Sequence, residues 1–288
     1  MVLEVAAHAK LTLTLRVLGT RADGFHELEA LTVSLAEPAD RLTVTRRDGP
    51  GVGLVLAGTP RDVPPDATNL VVRAVRALVD GGHAPDGWDL RLTKGIPAGG
   101  GLGGGSADAA ASLRAVQHLV GGPSDAVVAA VGASLGSDVP FCLTGGGAWM
   151  RGRGERVDPV AVGALWVVVA TPPLAVSTPA VYRAWDELGG PTAARRLPAP
   201  GAVAHLTDAL ANDLEPAAEV VEPRLAAFRA DLEEAVGLPA LLAGSGASYA
   251  VVCADETTAR RAAAAASRVG ITARAGPTVA SAWRIVEP

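Results

Sequence analysis

The sequence predicts an α+β protein in two domains, residues 1–155 and 156–288. Three observations carry that prediction. Of 288 residues, 49% are apolar and only 3% aromatic, so Val, Leu and Ala must fill a sizeable core. The first half holds successive segments of alternating polarity with no βαβ repeat. The second half alternates helix-like and strand-like segments, the pattern of helices packed on one face of a sheet.

Lys10 to Val17 (KLTLTLRV) alternates with period 2, the signature of a half-buried strand. Arg21-Ala22-Asp23-Gly24 reads as a turn, and strand-like patterns resume at 27–35, 41–46 and 52–56. Asp66 to Asn69 offers helix-start chemistry ahead of Leu70–Leu78, where apolar residues recur at helical spacing. Trp88 to Thr93 alternates again. A glycine-rich segment follows, Gly99-Gly100-Gly101-Leu102-Gly103-Gly104-Gly105-Ser106, and then an Ala-rich helix from about Ser106 to Leu119. Gly121-Gly122-Pro123 stops that helix, and Ser124 or Asp125 caps the next, which reaches about Leu135. The apolar run Leu165–Ala170 predicts a buried strand, with the domain change just before it, near residue 155. Ser177 or Thr178 with Pro179 starts a helix, because proline is tolerated in a first turn. Residues 189–201 read as a surface loop. Helices are predicted near 222–236 and 255–268, and strands near 240–242, 248–253, 271–275 and 282–286.

Charge and cysteine usage narrow the function. A formal net charge of −5 lacks the basic face that a phosphate polymer requires, so no nucleic-acid partner is expected. Cys142 and Cys253 share no metal-ligand spacing, which suits a reduced, cytoplasmic protein. The start, Met1-Val2-Leu3-Glu4-Val5, has neither the basic nor the long apolar stretch of a signal peptide. No apolar run is long enough for a membrane span, and no residue is assigned to a protein-bound metal.

Six of the seven residues from Gly99 to Gly105 are glycine. Each costs roughly 0.4–1 kcal/mol of unfolded-state entropy against alanine, about 2–6 kcal/mol for six. The compensating property is a backbone without Cβ atoms, whose N–H groups can close around an anion. The following helix adds free N–H groups and a positive dipole end at the same point. Phosphate is the natural ligand, and Ser106 offers a hydroxyl to a phosphate oxygen or to a phosphate-bound Mg²⁺. The bland alternative is a flexible loop capped by Ser106. The Walker arrangement, with Lys and Ser/Thr after the last glycine, is absent. A G-x-G-x-x-G pattern does occur at Gly99, Gly101 and Gly104, with Asp125 near the distance of a ribose-binding acid. Its context argues against a dinucleotide fold. Asp125 looks like a helix start, and the strand before the loop alternates where a central parallel strand is continuously apolar.

Three further segments have ordinary and functional readings. Lys10 is either a solvated edge charge or a charge at a site. Asp138, in Gly136-Ser137-Asp138-Val139-Pro140-Phe141, is either a turn residue or a working carboxylate. Gly244-Ser245-Gly246-Ala247-Ser248 is either a tight turn or part of a ligand site.

Taken in order, the lysine strand, the Pro-x-Gly-Gly-Gly-Leu-Gly-Gly-Gly-Ser-Ala loop and the late Gly-Ser-Gly-Ala turn resemble the GHMP kinase superfamily. Ala9-Lys10-Leu11-Thr12-Leu13, Arg21-Ala22-Asp23-Gly24-Phe25-His26-Glu27-Leu28, the Asp138 segment and Ser177-Thr178-Pro179 are similar to the branch acting on a cytidine-diphosphate methylerythritol. The resemblance implies a ribosomal-S5-like N-terminal domain that binds ATP and a ferredoxin-like C-terminal domain that contributes to the substrate cleft. It implies ATP-dependent, Mg²⁺-assisted phosphorylation of the 2-hydroxyl of that small molecule, in non-mevalonate isoprenoid biosynthesis, by a monomer or weak dimer. By resemblance Asp138 is the base and Lys10 its partner. ATP contacts fall on Asn69, Lys94, Pro97, Ala98, the loop from Gly99 through Gly100, Gly101, Leu102, Gly103, Gly104 and Gly105 to Ser106, and Ala107. Substrate contacts fall on Thr12, Phe25, His26, Asp138, Thr178 and Tyr182, with Phe25 and Tyr182 sandwiching the base and His26 reading it. Three positions depart from the family pattern: Thr12 and Asp108 stand where Asn is common, and Phe25 where Tyr is common.

Overall fold

The computed structural model describes residues 1–57, 63–190 and 210–286. The loop expected at 189–201 lies, from residue 191 onward, outside the described residues.

Two long strands build the first half. β1 (Val2–Thr20) and β2 (His26–Arg46) pair antiparallel from Val2↔Thr45 to Thr20↔His26. The turn between them closes through Arg21 N–H to Phe25 O at 2.7 Å and Gly24 N–H to Arg21 O at 3.0 Å. The segments 27–35 and 41–46, expected as separate strands, form one strand. The register shifts between His8, opposite Ala39, and Lys10, opposite Ser34. This bulge absorbs Pro38, which has no N–H for the ladder, and it sets the register that places Lys10.

β4 (Trp88–Thr93) pairs antiparallel with β2, and β3 (Val52–Ala57) runs parallel to β4. Trp88, Leu90 and Leu92 are buried while Asp89, Arg91 and Thr93 are exposed, so the predicted alternation is realised residue by residue. β5 (Gly147–Gly152) pairs with β2, and β6 (Arg156–Pro159) with β5. The division expected near residue 155 therefore falls in the turn of the β5–β6 hairpin.

Helices α1 (Leu70–Asp80), α2 (Gly104–Val120), α3 (Asp125–Leu135) and α4 (Val139–Thr144) belong to this half. α2 lies on β1 and β2, beside α1. Its buried face is largely alanine, Ala107, Ala109, Ala110, Ala111 and Ala115, which lets the helix approach the sheet closely. Ser124, not Asp125, caps α3 by accepting from Val127 N–H. Asp125 sits in the first helical turn, 2.5 Å from Arg114, and so is not a ribose-binding acid at a strand end.

In the second half β11 (Ala273–Val279), β7 (Trp166–Ala170), β10 (Tyr249–Cys253) and β9 (Leu241–Leu242) lie in that order. Helices α5 (Thr178–Glu187), α6 (Glu215–Val221), α7 (Arg224–Val236) and α8 (Glu256–Arg268) accompany them, with α8 against β7, β10 and β11. β11 pairs with β7 over Ala273–Pro277, and then Thr278 and Val279 pair with Leu35 and Ser34 of β2. β12 (Trp283–Ile285) pairs with β1 at Val5–Ala7, so the last predicted strand joins the first-half sheet. β8 (Ala211–Asn212) adds a short parallel pairing to β1 at Thr14 and Leu15. No helix among the described residues is long and apolar enough to cross a membrane.

Candidate active site

The glycine segment enters α2 earlier than its sequence suggests. The helix begins at Gly104, and Gly103 precedes it with φ of 68° in the left-handed region that favours glycine. Ser106 is thus in the first turn rather than at the cap, with its hydroxyl free of capping duty. Two distant segments hold the loop. Ala247 N–H donates to Gly99 O at 3.1 Å, Ser248 N–H to Gly100 O at 3.2 Å, and Lys10 N–H to Leu102 O at 3.0 Å. The contact is close enough that a Cβ on Gly101 would lie 1.8 Å from Ala243 O, and one on Gly103 2.7 Å from Lys10 Cγ. A Cβ on Gly99 would meet nothing within 4 Å. Some of these glycines therefore serve internal packing, and others leave room for a ligand.

A cavity of about 410 Å³ opens over the loop, lined by Asn69, Lys94, Pro97, Ala98, residues 99–106 and Asp108. Ala107 does not line it; its N–H bonds Gly103 O at 2.9 Å and its side chain is buried. Asn69 caps α1, its Oδ1 accepting from Val71 N–H at 3.0 Å while Nδ2 donates to Pro64 O at 2.7 Å. Lys94 Nζ bonds Asp40 and, at 2.6 Å, Asp108 Oδ2. Asp40 is fully buried in β2 and also accepts from Gly95 N–H at 2.6 Å and Ile96 N–H at 2.8 Å. Burial works against the Lys94 charge, but the Asp108 and Asp40 carboxylates outweigh it and raise its pKa. Burial pushes the Asp108 carboxyl well above the usual carboxylate range, with Lys94 pulling the other way. Asp108 Oδ1 is buried without a hydrogen-bond partner among the described residues. Lys94 at this cavity is consequently an already neutralised cation that fixes the entry to α2.

Lys10 is no solvated edge charge. It is 8% exposed, and its Nζ stands 3.7 Å from Asp138 Oδ2 and 3.4 Å from Thr12 Oγ1. Thr12 in turn touches Thr32 Oγ1 at 3.4 Å. Asp138 precedes α4 but makes no side-chain capping bond, so its carboxylate is left to the cavity and to Lys10. Lys10, Thr12, Phe25, His26, Asp138, Thr178 and Tyr182 all line one cavity of about 650 Å³, which also reaches Gly101, Gly103 and Ser106 of the loop. Thr178 joins α5 to the Gly244–Ser248 turn through Ser245 Oγ at 2.7 Å.

At the far end His26 Nε2 lies 2.9 Å from Asp186 Oδ1. Tyr182 stacks on the His26 ring at 4.6 Å and 27°, and Trp185 meets it edge-on at 5.5 Å. Burial, with the Asp138 charge second, raises the Tyr182 phenol pKa. Phe25 is 51% exposed, with the Arg153 guanidinium over its ring at 4.7 Å. Tyr182 therefore rests on His26 and Phe25 under Arg153, with both rings at the same cavity. Sequence reasoning missed Arg153, Asp186 and Asp40. The first had a signal in Gly152-Arg153-Gly154, a hairpin tip, and the second in standing one helical turn after Tyr182. Asp40 had none, since its partners are remote in sequence.

A metal site made by protein alone is not present among the described residues, which hold no group of three or more His, Cys, Asp or Glu placed for one. The GHMP kinases N-terminal domain model matches residues 69–146, and the GHMP kinases C-terminal model residues 192–272. A 4-diphosphocytidyl-2-C-methyl-D-erythritol kinase of Pelotomaculum thermopropionicum is 42% identical over 92% of this chain and 93% of its own. One of Cutibacterium acnes is 39% identical over 93% and 91%. A crystal structure of 4-(cytidine 5'-diphospho)-2C-methyl-D-erythritol kinase superposes with TM-score 0.80 at 38% identity, covering 96% of this chain and 98% of that one. The homoserine kinase of Cytophaga hutchinsonii shares the fold, with TM-score 0.69 at 20% identity.

Proposed function

This chain belongs to the 4-diphosphocytidyl-2-C-methyl-D-erythritol kinases, a family of GHMP kinases, and we propose that it phosphorylates the 2-hydroxyl of that cytidine-diphosphate alcohol from ATP. The observation that carries the reading is one continuous cavity with three ends: the phosphate loop, the Lys10–Asp138 pair, and the His26–Tyr182–Phe25 aromatic group.

ATP lies over residues 99–106, its phosphates on loop N–H groups and the start of α2. Asp138 takes the proton from the acceptor hydroxyl as its oxygen bonds the γ-phosphorus and the bond to the ADP oxygen breaks. Lys10, 3.7 Å from Asp138, faces the charge that develops on the transferring group. Thr12 steadies Lys10 through its hydroxyl. The ring of Tyr182 and the imidazole of His26 form the platform for cytosine, with Phe25 at its edge and Thr178 fixing α5 to the glycine turn.

The Ser106 hydroxyl would hold a nucleotide-bound Mg²⁺, which would supply neutralisation of phosphate charge; Asp108 does not suit it, since one of its oxygens is on Lys94 and the other is buried. Residues 1–155 carry ATP binding and catalysis, and residues 156–288 complete the cleft through α5. Action as a monomer or weak dimer is part of the same proposal. Cys142 and Cys253 are free and buried, in keeping with a reduced cytoplasm.

Purified protein with ATP, Mg²⁺ and the cytidine-diphosphate alcohol should release ADP and give the 2-phosphate by ³¹P NMR. Turnover on homoserine or mevalonate instead, or on neither, would overturn the substrate assignment.

A further inference from the structure

The turn at 243–248 clamps the glycine loop, and its own position therefore governs the shape of that loop. Ala243 O abuts Gly101, where an added Cβ would lie 1.8 Å from that oxygen. An added Cβ on Gly244 would stand 3.2 Å from Gly101 O and 3.4 Å from Lys10 Nζ. The turn thus reaches both the loop and the charged end of Lys10.

Asn212 grips the turn on either side of this contact. Its Nδ2 donates to Leu242 O at 2.8 Å and to Gly244 O at 2.6 Å, the two carbonyls that flank Ala243 O. Its Oδ1 accepts from Leu214 N–H at 2.9 Å, just ahead of α6. The backbone beneath it is tied to the strand that carries Lys10. Asn212 pairs with Leu15 of β1, Asp213 N–H donates to Leu15 O at 3.0 Å, and Asp213 Oδ2 accepts from Val17 N–H at 3.0 Å. β8, two residues long, therefore connects the β1 strand of the first half to the glycine turn of the second. An asparagine amide supplies two donor hydrogens and an acceptor at once, whereas an aspartate of the same shape keeps the acceptor and loses both donors.

We propose that Asn212 is a positioning residue for phosphoryl transfer, holding the 243–248 turn against the glycine loop so that the loop meets the phosphates of ATP already in shape. It acts through the Leu242 and Gly244 carbonyls and lines neither the loop cavity nor the acceptor cavity. A loop that the ligand itself must order binds more weakly than one held ready. The proposal rests on the reading of residues 99–106 as the phosphate loop.

The test is steady-state kinetics with ATP varied, in wild type, Asn212→Asp, Asn212→Ala and Asp213→Ala. Asn212→Asp and Asn212→Ala should each raise the KM for ATP roughly 10-fold, the effect of losing one to two hydrogen bonds. The carbonyl grip is the one feature lost in both, since the aspartate keeps the bond to Leu214 N–H and the alanine adds no charge. Asp213→Ala loosens β8 from β1 but leaves the amide in place, and it should leave the KM for ATP within about twofold of wild type. A merely structural role would lower kcat through the folded fraction without moving KM. An unchanged KM for ATP in either Asn212 variant, or an equal rise in Asp213→Ala, would overturn the assignment. Failure of ATP to saturate the wild type would overturn the phosphate-loop reading itself, a result distinct from these.

Discussion

Asp138 and Lys10 show how much a single contact decides. Separately, each has an ordinary role: a carboxylate after Gly-Ser is usually a turn residue, and a strand lysine usually points to water. The fold buries Lys10 and sets its Nζ 3.7 Å from a carboxylate that caps nothing. With the carboxylate removed but its shape kept, Asp138→Asn should lose about 10²–10⁴ in turnover, the usual range for a general base. Acceptor KM should move much less, since the aromatic end of the cavity is untouched. Steady-state kinetics checks both, and near-normal turnover would remove Asp138 from its role. His26 is also defined by a neighbour. Asp186 against Nε2 fixes which ring atom faces the α5 carboxylate, a distinction that no single residue in the sequence expresses.

At the scale of elements, the glycine loop and the start of α2 divide their work between packing and ligand. Gly101 abuts Ala243 O and has φ of 75°, so Gly101→Ala meets both a steric and a conformational penalty. Its expected cost is about 2–5 kcal/mol, against about 1–2 kcal/mol for Gly99→Ala, where only the left-handed backbone resists. Urea denaturation of the two variants separates the cases; equal losses would mean that the turn at 243–248 does not clamp the loop. The Lys94–Asp40–Asp108 group makes a second prediction. Burial raises the Asp108 pKa in the folded state. Above about pH 4 the folded protein then keeps a proton that the unfolded chain has released, so this group's contribution to stability falls as pH rises toward the folded value. Asp108→Asn removes that proton, and its stability should decline less than wild type over the same interval, measured by urea midpoints at several pH values. An identical slope would show Asp108 to be ionised throughout.

Over the whole molecule, the strands near the C-terminus prevent the two halves from being independent. β11 pairs with β7 in one stretch and β2 in the next, and β12 pairs with β1 only a few residues before Lys10. One strand held by both sheets couples their unfolding. A single transition is expected, coincident by far-UV circular dichroism and by tryptophan fluorescence, because Trp88 and Trp149 report on the first half and Trp166 and Trp185 on the second. Two separated transitions would show that the shared strand does not couple them.

Local regularities were legible in the chain itself. Alternation in Trp88–Thr93, the helix-start residue Asn69, the Gly121 stop and the glycine run all act within a few residues, so period and residue type disclose them. The order of the motifs disclosed the family. Tertiary structure alone decided that β2 continues past Pro38, that Tyr182 stacks on His26, and that the Arg153 guanidinium lies over the Phe25 ring. It also decided that α2 begins at Gly104, with Ser106 inside its first turn. The reason is the range of the forces. A backbone pattern is set by neighbours along the chain, whereas whether a charge is matched or a glycine crowded depends on residues such as Asp40, Ala243 and Asp138, brought in from far away by strand pairing.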